Sequence, residues 1–215
     1  MHPPDCPPWE YDRHPRRAEV LRRHVTGLLI ELRADKLNTV EVAVNTRPVH
    51  RRLFVELTPP GYDYYAGHYR GEDYRCLRYS LVGIAGDPNV GYESASASVH
   101  LSMGGMERVI REGLAVLDVN RDIPDAQLPR AQKVLQVVVF ACRVFDLFLR
   151  IHPYVNGNGH IARFLIWCLL GRYGYWPEKW PVEPKPPDPP YISLIEEYRK
   201  RNWGPLEEFV LKTIA

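Results

Sequence analysis

The feature that most constrains this fold is a long stretch of chain that is apolar on almost every side. Across residues 127–151, apolar side chains fill nearly every helical position instead of one stripe. A helix of that kind belongs in the centre of a domain, because it has no face suited to water. A second strongly apolar helix is expected over residues 160–173. Together the two segments predict a buried central helix pair joined by a short polar loop.

The rest of the chain predicts further helices around this pair and one small β-hairpin. Apolar residues recur at helical spacing in residues 16–32, 42–57, 99–119, 191–202 and 205–214. Residues 74–99 differ, since their Tyr, Val and Ile residues are broken by glycine-rich turn signals that are typical of a hairpin. We therefore predict a mainly α fold, a helical bundle with one hairpin.

Proline clusters mark the parts of the chain expected to lie outside the helices. Residues 1–15 are expected to form a flexible Pro-rich arm, because each proline removes a hydrogen-bond donor and restricts the residue before it. Residues 16–215 are long enough for a single domain with one core, and residues 176–190 form a Pro-rich connector inside it.

Composition argues against several classes of protein and partner. The 215 residues carry a formal charge of only +2, and the basic cluster at residues 13–23 is interpreted as a solvated helix face rather than a nucleic-acid or partner patch. Four scattered cysteines without a CxxC pair imply neither a disulfide framework nor a zinc site. No apolar stretch suits a signal peptide or a membrane span, so a cytoplasmic protein is expected.

The loop between the two apolar helices carries more chemistry than a connection needs. Polar side chains and glycines are interleaved in it, at His152, Asn156, Gly157, Asn158, Gly159 and His160. Alternating glycines let backbone N–H groups converge on one point, and the start of the next helix adds unsatisfied donors and a positive dipole end. Such a place binds phosphate or another anion.

Three side chains give this predicted anion pocket a possible chemistry. His160 and Arg163 share one face of the following helix, where Arg163 offers phosphate oxygens a charged fork. His152 is a candidate general base, because its imidazole titrates near neutrality. Two alternatives stay open on the residues alone. The loop could be a plain helix–helix turn with left-handed asparagine, or His152 and His160 could ligate a metal.

The run from His152 to Arg163 resembles the signature of the Fic/DOC (Fido) family, H-P-F-x-D/E-G-N-G/K-R-x-x-R. The coinciding residues are His152, Pro153, Gly157, Asn158, Gly159 and Arg163, and Tyr154 stands in place of the phenylalanine. Residues 50–54 and 66–70 are similar to the family's upstream helix and its G-x-Y-R segment. The predicted hairpin falls where the family has its target-binding flap, and residues 191–211 resemble its closing helices. The resemblance implies a Fic-type helical bundle.

This resemblance also implies an activity and roles for individual residues. Fic domains typically transfer AMP from ATP to a Ser, Thr or Tyr hydroxyl of a target protein, and relatives move other phosphate-linked groups. His152 would be the base that takes the hydroxyl proton. The residues implied in binding the nucleotide phosphates are Gly157, Asn158, Gly159, His160 and Arg163. The flap residues Val82, Gly83 and Ile84 would pair with an extended target segment by strand addition.

Two positions depart from the signature. Asn156 stands where the family has an acidic Mg²⁺ ligand, and its amide offers an oxygen without charge, so weak or water-mediated Mg²⁺ binding is expected. His160 stands where the family has its first arginine, and it is shorter and only partly charged at neutral pH. These changes leave open another donor, a module that binds nucleotide or protein without transfer, and removal of the modifying group. Retention of His152 favours catalysis.

The family's inhibitory motif has no clear counterpart here. Many Fic proteins are restrained by a helix carrying S/T-x-x-x-E-G/N, and the nearest string, residues 193–197, is followed by Tyr198 instead of Gly or Asn. A separate inhibitory protein or another copy of the chain would therefore be needed to block Arg163, unless nothing does.

Overall fold

The computed structural model describes residues 5–78 and 96–214. Most of the predicted hairpin, including Val82, Gly83 and Ile84, lies outside the described residues. Within those residues the chain forms α1 (Arg17–Arg33), α2 (Thr39–Val44), α3 (Arg47–Phe54), α4 (Ser96–Asp122), α5 (Arg130–Ile151), α6 (Asn158–Gly171), α7 (Tyr191–Arg199) and α8 (Gly204–Leu211). Short 3-10 turns span Tyr11–Arg13, Val55–Leu57 and Asp63–Tyr65. The mainly helical fold predicted from the sequence is confirmed.

The centre of the molecule is the pair formed by α5 and α6, which pack against each other. Every residue of α6 from His160 to Leu170 is buried. Helix α5 is buried mainly in its second half, whereas Leu135 and Val139 in its first half are exposed, so it is less central than its composition predicts. Helices α4 and α8 pack on α5, and α1 and α2 pack on α6. Along the described ranges, none of these helices combines the length and apolarity required to cross a membrane.

The segment predicted as one helix over residues 42–57 forms two helices, α2 and α3, with a break at Asn45 and Thr46. The cause is Pro48, which lies in the first turn of α3. In a continuous helix its missing N–H would leave the Val44 carbonyl without a donor, whereas a first turn needs no such bond. The break aims α3 at the loop between α5 and α6.

The N-terminal arm (residues 5–15) is packed onto the domain, although the prolines led us to expect a flexible arm. Trp9 is only 4% exposed, and its indole Nε1 donates to the carbonyl oxygen of Leu57 at 2.8 Å. A disulfide joins Cys6 to Cys76, with 5.6 Å between their Cα atoms. The expectation that the cysteines form no disulfide is therefore wrong, because two partners 70 positions apart leave no spacing signal.

The connector between α6 and α7 is irregular but closely packed. Trp180 is fully buried, and its Nε1 donates to the carbonyl oxygen of Arg163 at 3.2 Å. The indole of Trp167 donates in turn to the Trp180 carbonyl at 2.7 Å. These contacts hold the connector against α6 and bring Val182 and Glu183 to the start of that helix.

Candidate active site

The loop between α5 and α6 begins at the C-terminal end of α5, where Arg70 donates hydrogen bonds to the last carbonyl groups of the helix. His152 has a left-handed backbone, with φ of 49°, so the chain leaves the helix at this residue. The Arg70 side chain donates to the carbonyl oxygens of His152 and Ile151 at 2.7 and 2.8 Å, and its backbone N–H donates to the Pro153 carbonyl at 2.8 Å. Three carbonyls at a helix end thus find donors on one buried residue.

The surroundings of His152 favour a neutral imidazole. Its Nδ1 lies 3.3 Å from the Leu149 carbonyl oxygen, which can only accept, so the proton sits on Nδ1 and Nε2 keeps its lone pair. Burial disfavours the charged imidazole and lowers the pKa of His152 to about 4. At neutral pH the ring is therefore uncharged and able to accept a proton.

The loop is closed by its own short-range contacts. The side-chain amide of Asn158 accepts from the Tyr154 N–H at 2.9 Å and donates to the Tyr154 carbonyl at 2.8 Å. Gly157 has φ of 80°, and a Cβ there would lie 2.6 Å from the Phe54 ring, so both its conformation and its surroundings require glycine. The N–H groups of Asn158 and Gly159 precede the first bond of α6, which His160 N donates to Gly157 O. Donors in this position at a helix start are available to an anion.

The two upstream segments that resemble the family, residues 50–54 and 66–70, hold this loop through His50. His50 of α3 stacks on the Tyr154 ring, with centroids 3.6 Å apart, and its Nε2 donates to the Asn156 carbonyl at 2.9 Å. The Gly67 N–H donates to His50 Nδ1 at 2.9 Å. Burial lowers the pKa of His50 to about 3, so the ring stays neutral and fixes the loop from both nitrogens.

A polar cavity of about 440 Å³ opens over the loop. Every loop residue and cation predicted for the site lines it, namely His152, Asn156, Gly157, Asn158, Gly159, His160 and Arg163. Its other walls come from the arm, α1 and the connector, through Tyr11, Asp12, Arg17, Glu183, Pro184 and Lys185. A second, mainly apolar cavity of about 210 Å³ adjoins it at His152, Gly159, Arg163 and Lys185, and α7 supplies Tyr191, Ile192 and Ile195. His152 therefore lies where the two cavities meet.

Arg163 and His160 differ in their hydrogen-bond partners. Arg163 is nearly buried, its Nε donates to the Val182 carbonyl at 2.9 Å, and no described carboxylate forms an ion pair with its guanidinium. It can hold an anion with its terminal nitrogens. His160 instead donates from Nε2 to Glu183 at 2.6 Å, while its Nδ1 lies 3.4 Å from the Tyr11 hydroxyl. Burial lowers the pKa of His160, although the hydrogen bond with Glu183 opposes this shift.

Both polar atoms of the Asn156 side chain are already hydrogen-bonded within the protein. Its side-chain oxygen accepts from the Gly157 N–H at 2.9 Å, and its amide nitrogen donates to the Trp9 carbonyl at 3.0 Å. The carboxylates on the cavity, Asp12 and Glu183, both pair with Arg17. In the described ranges no three His, Cys, Asp or Glu side chains are grouped to hold a metal. This donor set does not fit a hard cation such as Mg²⁺, which prefers free carboxylate oxygens.

Sequence reasoning missed Arg70 and the cavity residues that lie outside the loop and α6. Arg70 belongs to a segment singled out for its family pattern, but nothing in the sequence indicated that it binds the end of α5. Tyr11 and Glu183 carry no local signal, because they reach the cavity from distant, proline-rich parts of the chain. Arg17 belongs to the basic cluster at residues 13–23, and its position on the cavity shows that the interpretation of that cluster as a solvated helix face is wrong for this residue.

The model of the Fic/DOC family matches residues 47–170, more than half of the chain. The matched segment contains Arg70, His152 and the whole loop, whereas the arm, Arg17 and Glu183 lie outside it. Comparison with curated proteins and with solved structures gives no match. On the family match, together with the loop geometry, the chain belongs to the Fic/DOC family.

Proposed function

We propose that this protein transfers a phosphate-linked group from a donor to a hydroxyl of a target protein, with His152 as the general base. Members of the family are generally transferases that act on protein targets. The single observation that carries the proposal is the neutral imidazole of His152 between two cavities, beside the N–H groups that begin α6. AMP from ATP is the transferred group that the family resemblance implies, on a Ser, Thr or Tyr side chain.

The proposed reaction uses groups already in place. Nε2 of His152 takes the proton of the target hydroxyl, whose oxygen attacks a phosphorus atom of the donor. The bond from that phosphorus to the leaving group breaks, and with ATP the leaving group is pyrophosphate. The N–H groups of Asn158 and Gly159 and the Arg163 guanidinium offset the negative charge that grows on the phosphoryl oxygens. His152 then releases its proton to solvent.

No metal enters these steps. Mg²⁺ remains an expectation of the family resemblance, and Asn156 would be its ligand only after releasing the Gly157 N–H. The roles of Val82, Gly83 and Ile84 in seating an extended target segment belong to the same proposal. The proposal also includes inhibition of the enzyme by a separate protein or by another copy of the chain.

A cytoplasmic location is also part of this proposal. The Cys6–Cys76 disulfide is of a kind that persists in oxidising compartments, which places it in tension with that location. Trapping the cysteines of the cellular protein with an alkylating reagent decides the matter. Free thiols at both positions support the cytoplasm, and a protected pair argues against it.

Labelled-donor transfer tests the proposed activity. The purified protein is incubated with ATP labelled at the α-phosphate and a cell lysate, and labelled proteins are then counted. We expect His152→Ala to reduce transfer about a hundredfold to ten-thousandfold, which is the usual contribution of a general base. His24→Ala is the matched control, because His24 lies on α1 and pairs with Glu56 outside both cavities. If the wild type labels target proteins and both variants label them equally well, the role of His152 is refuted, and absence of labelling by the wild type argues against ATP as the donor.

A module that binds nucleotide without transferring anything is the second candidate. It is favoured by Asn156 and His160, whose side chains are taken up by Trp9, Gly157 and Glu183. Calorimetry that shows nucleotide binding unaffected by Mg²⁺, with no turnover of any donor, would select this candidate over the enzyme.

A further inference from the structure

Glu183 places a carboxylate inside the cavity that the loop prepares for an anion. It comes from the connector between α6 and α7, outside the segment that matches the family. Its side chain is 10% exposed and accepts from His160 Nε2 at 2.6 Å and from the two terminal nitrogens of Arg17 at 2.7 and 3.2 Å. The same cavity is lined by Gly157, Asn158 and Gly159. An acidic side chain is thus fixed beside the anion donors.

This carboxylate is charged at every physiological pH. Burial alone would raise the pKa of Glu183, but the hydrogen bonds from His160 and Arg17 outweigh burial and lower it to about 2. Its charge is therefore a permanent part of the cavity. A second carboxylate, Asp12, lies 3.1 Å from Arg17 Nε on the same wall.

Several basic side chains of the cavity are already bonded to these two carboxylates. Arg17 is shared between Asp12 and Glu183, and His160 Nε2 is bonded to Glu183, while burial lowers the pKa of the imidazole. In the described part of the chain, Arg163 and the exposed Lys185 are then the cations left for a ligand. Two positive charges suit a short phosphate group, whereas each further phosphate adds negative charge near an ionised carboxylate in a partly enclosed space, where like charges repel strongly.

We propose that Glu183 is a specificity-determining residue that limits the phosphate charge the cavity accepts. The favoured donor class is a phosphate bridge capped at both ends, such as a nucleoside diphosphate joined to an alcohol, over a free nucleoside triphosphate. This inference rests on the proposed transferase site and changes the donor expected for it. AMP from ATP is what the family implies, and the charge of this cavity favours a donor with less phosphate charge.

Binding of inorganic anions tests the proposal without depending on the base of the donor or on transfer. Phosphate, pyrophosphate and tripolyphosphate are titrated into the protein by calorimetry, without divalent cation. In the wild type we expect no gain in affinity from phosphate to tripolyphosphate. Glu183→Gln removes the charge with little change in shape, and we expect it to strengthen tripolyphosphate binding about tenfold or more while changing phosphate binding far less.

Glu178→Gln is the matched control, because it makes the same change of charge at an exposed side chain that pairs with Arg33 outside the cavity. If E178Q strengthens tripolyphosphate binding as much as E183Q, the effect is one of overall charge and the proposal is wrong. Wild-type binding too weak to measure, with tripolyphosphate bound by E183Q, supports it. Absence of binding in both proteins overturns it.

If E183Q does not fold, the three anion titrations of the wild-type protein are sufficient to test the proposal. A rise of tenfold or more from phosphate to tripolyphosphate in the wild type would overturn the proposal. Failure of the proposed function gives a different pattern, since His152→Ala can leave anion binding intact while transfer is lost or was never present. Transfer that depends on His152, with affinity that rises along the series, would refute only the role of Glu183.

Discussion

The motif loop (residues 152–159) and the N-terminal arm meet at one cavity, yet they are held there by different kinds of contact. The turn of the loop is closed by neighbours in sequence, as Asn158 shows by bonding both backbone groups of Tyr154, four residues away, and His50 and Arg70 add long-range support to it. The arm is held by distant partners, with Trp9 bonded to Leu57 and Cys6 joined to Cys76. Contacts of the first kind leave a pattern in the sequence, and contacts of the second kind do not.

The two regions also contribute different things to the site. The loop supplies His152, the proposed base, and the N–H groups proposed to bind the donor phosphates. The arm supplies Tyr11 and Asp12 as part of the cavity wall, and the Trp9 carbonyl that engages Asn156. The loop lies within the segment that matches the family, whereas the shape and charge of the cavity also depend on parts of this chain outside that segment.

The largest expected effect is on the arm, at Trp9. Trp9→Ala removes a buried indole that stacks on Tyr65, with centroids 5.7 Å apart, and leaves a cavity in its place. We expect the free energy of unfolding to fall by about 3–5 kcal/mol, measured by chemical denaturation. Trp203→Ala is the control, because Trp203 is 54% exposed and its loss should change stability by no more than about 0.5 kcal/mol. Equal effects of the two variants would mean that the arm is not docked.

The disulfide should have the next largest effect. Cys6→Ser opens a loop closed across 70 residues, so the unfolded chain gains entropy and the free energy of unfolding falls by about 2–4 kcal/mol. Wild-type protein treated with a dithiol reductant should become as unstable as C6S, and the reductant should not affect C6S further. Wild-type stability that is indifferent to reductant would show that the cysteines are not joined in solution.

The direct link between loop and arm should have the smallest effect. Asn156→Ala removes the hydrogen bonds to the Trp9 carbonyl and the Gly157 N–H, at an expected cost of about 1–2 kcal/mol. Trypsin should then cut the arm faster after Arg13 or Arg16. Asn202→Ala, at an exposed asparagine near the end of α7, should leave the cleavage rate unchanged. If N156A is cut no faster than N202A, the loop and the arm are held independently.

Much of the fold was predictable because helices repeat their pattern locally. The positions of α1, α4, α5, α6, α7 and α8 follow from apolar spacing, and α2 and α3 were merged because Pro48 lies among residues of suitable spacing. The burial of α5 was overestimated, since composition does not tell which apolar residues, such as Leu135, find a neighbour. A packed arm was not predictable, because its prolines predict a lack of helix and say nothing of tertiary contacts.

The candidate site divides in the same way. That His152, Gly157 and Arg163 lie on one cavity could be predicted from residue type and spacing, since the end of one helix, a glycine turn and the first turn of the next helix are neighbours in sequence. Glu183 could not, because nothing in a proline-rich connector indicates that one of its acids will pair with His160. The charge balance of the cavity, which depends on Glu183 and its partners, could therefore be seen only in the three-dimensional structure. Our inference about the preferred donor rests on that charge balance.

The neutral imidazole of His152 is central to the proposed function, and a titration of its ring by NMR tests it most directly. A group with a folded-state pKa of about 4 stays unprotonated from pH 8 down to about pH 5, so the base is ready over that whole range. His152→Ala identifies the signal by its loss. We predict a midpoint near pH 4 for that signal. A midpoint at or above the ordinary histidine value of about 6.5 would show that the ring is solvated or paired with an acid, and would contradict the structure of the site described above.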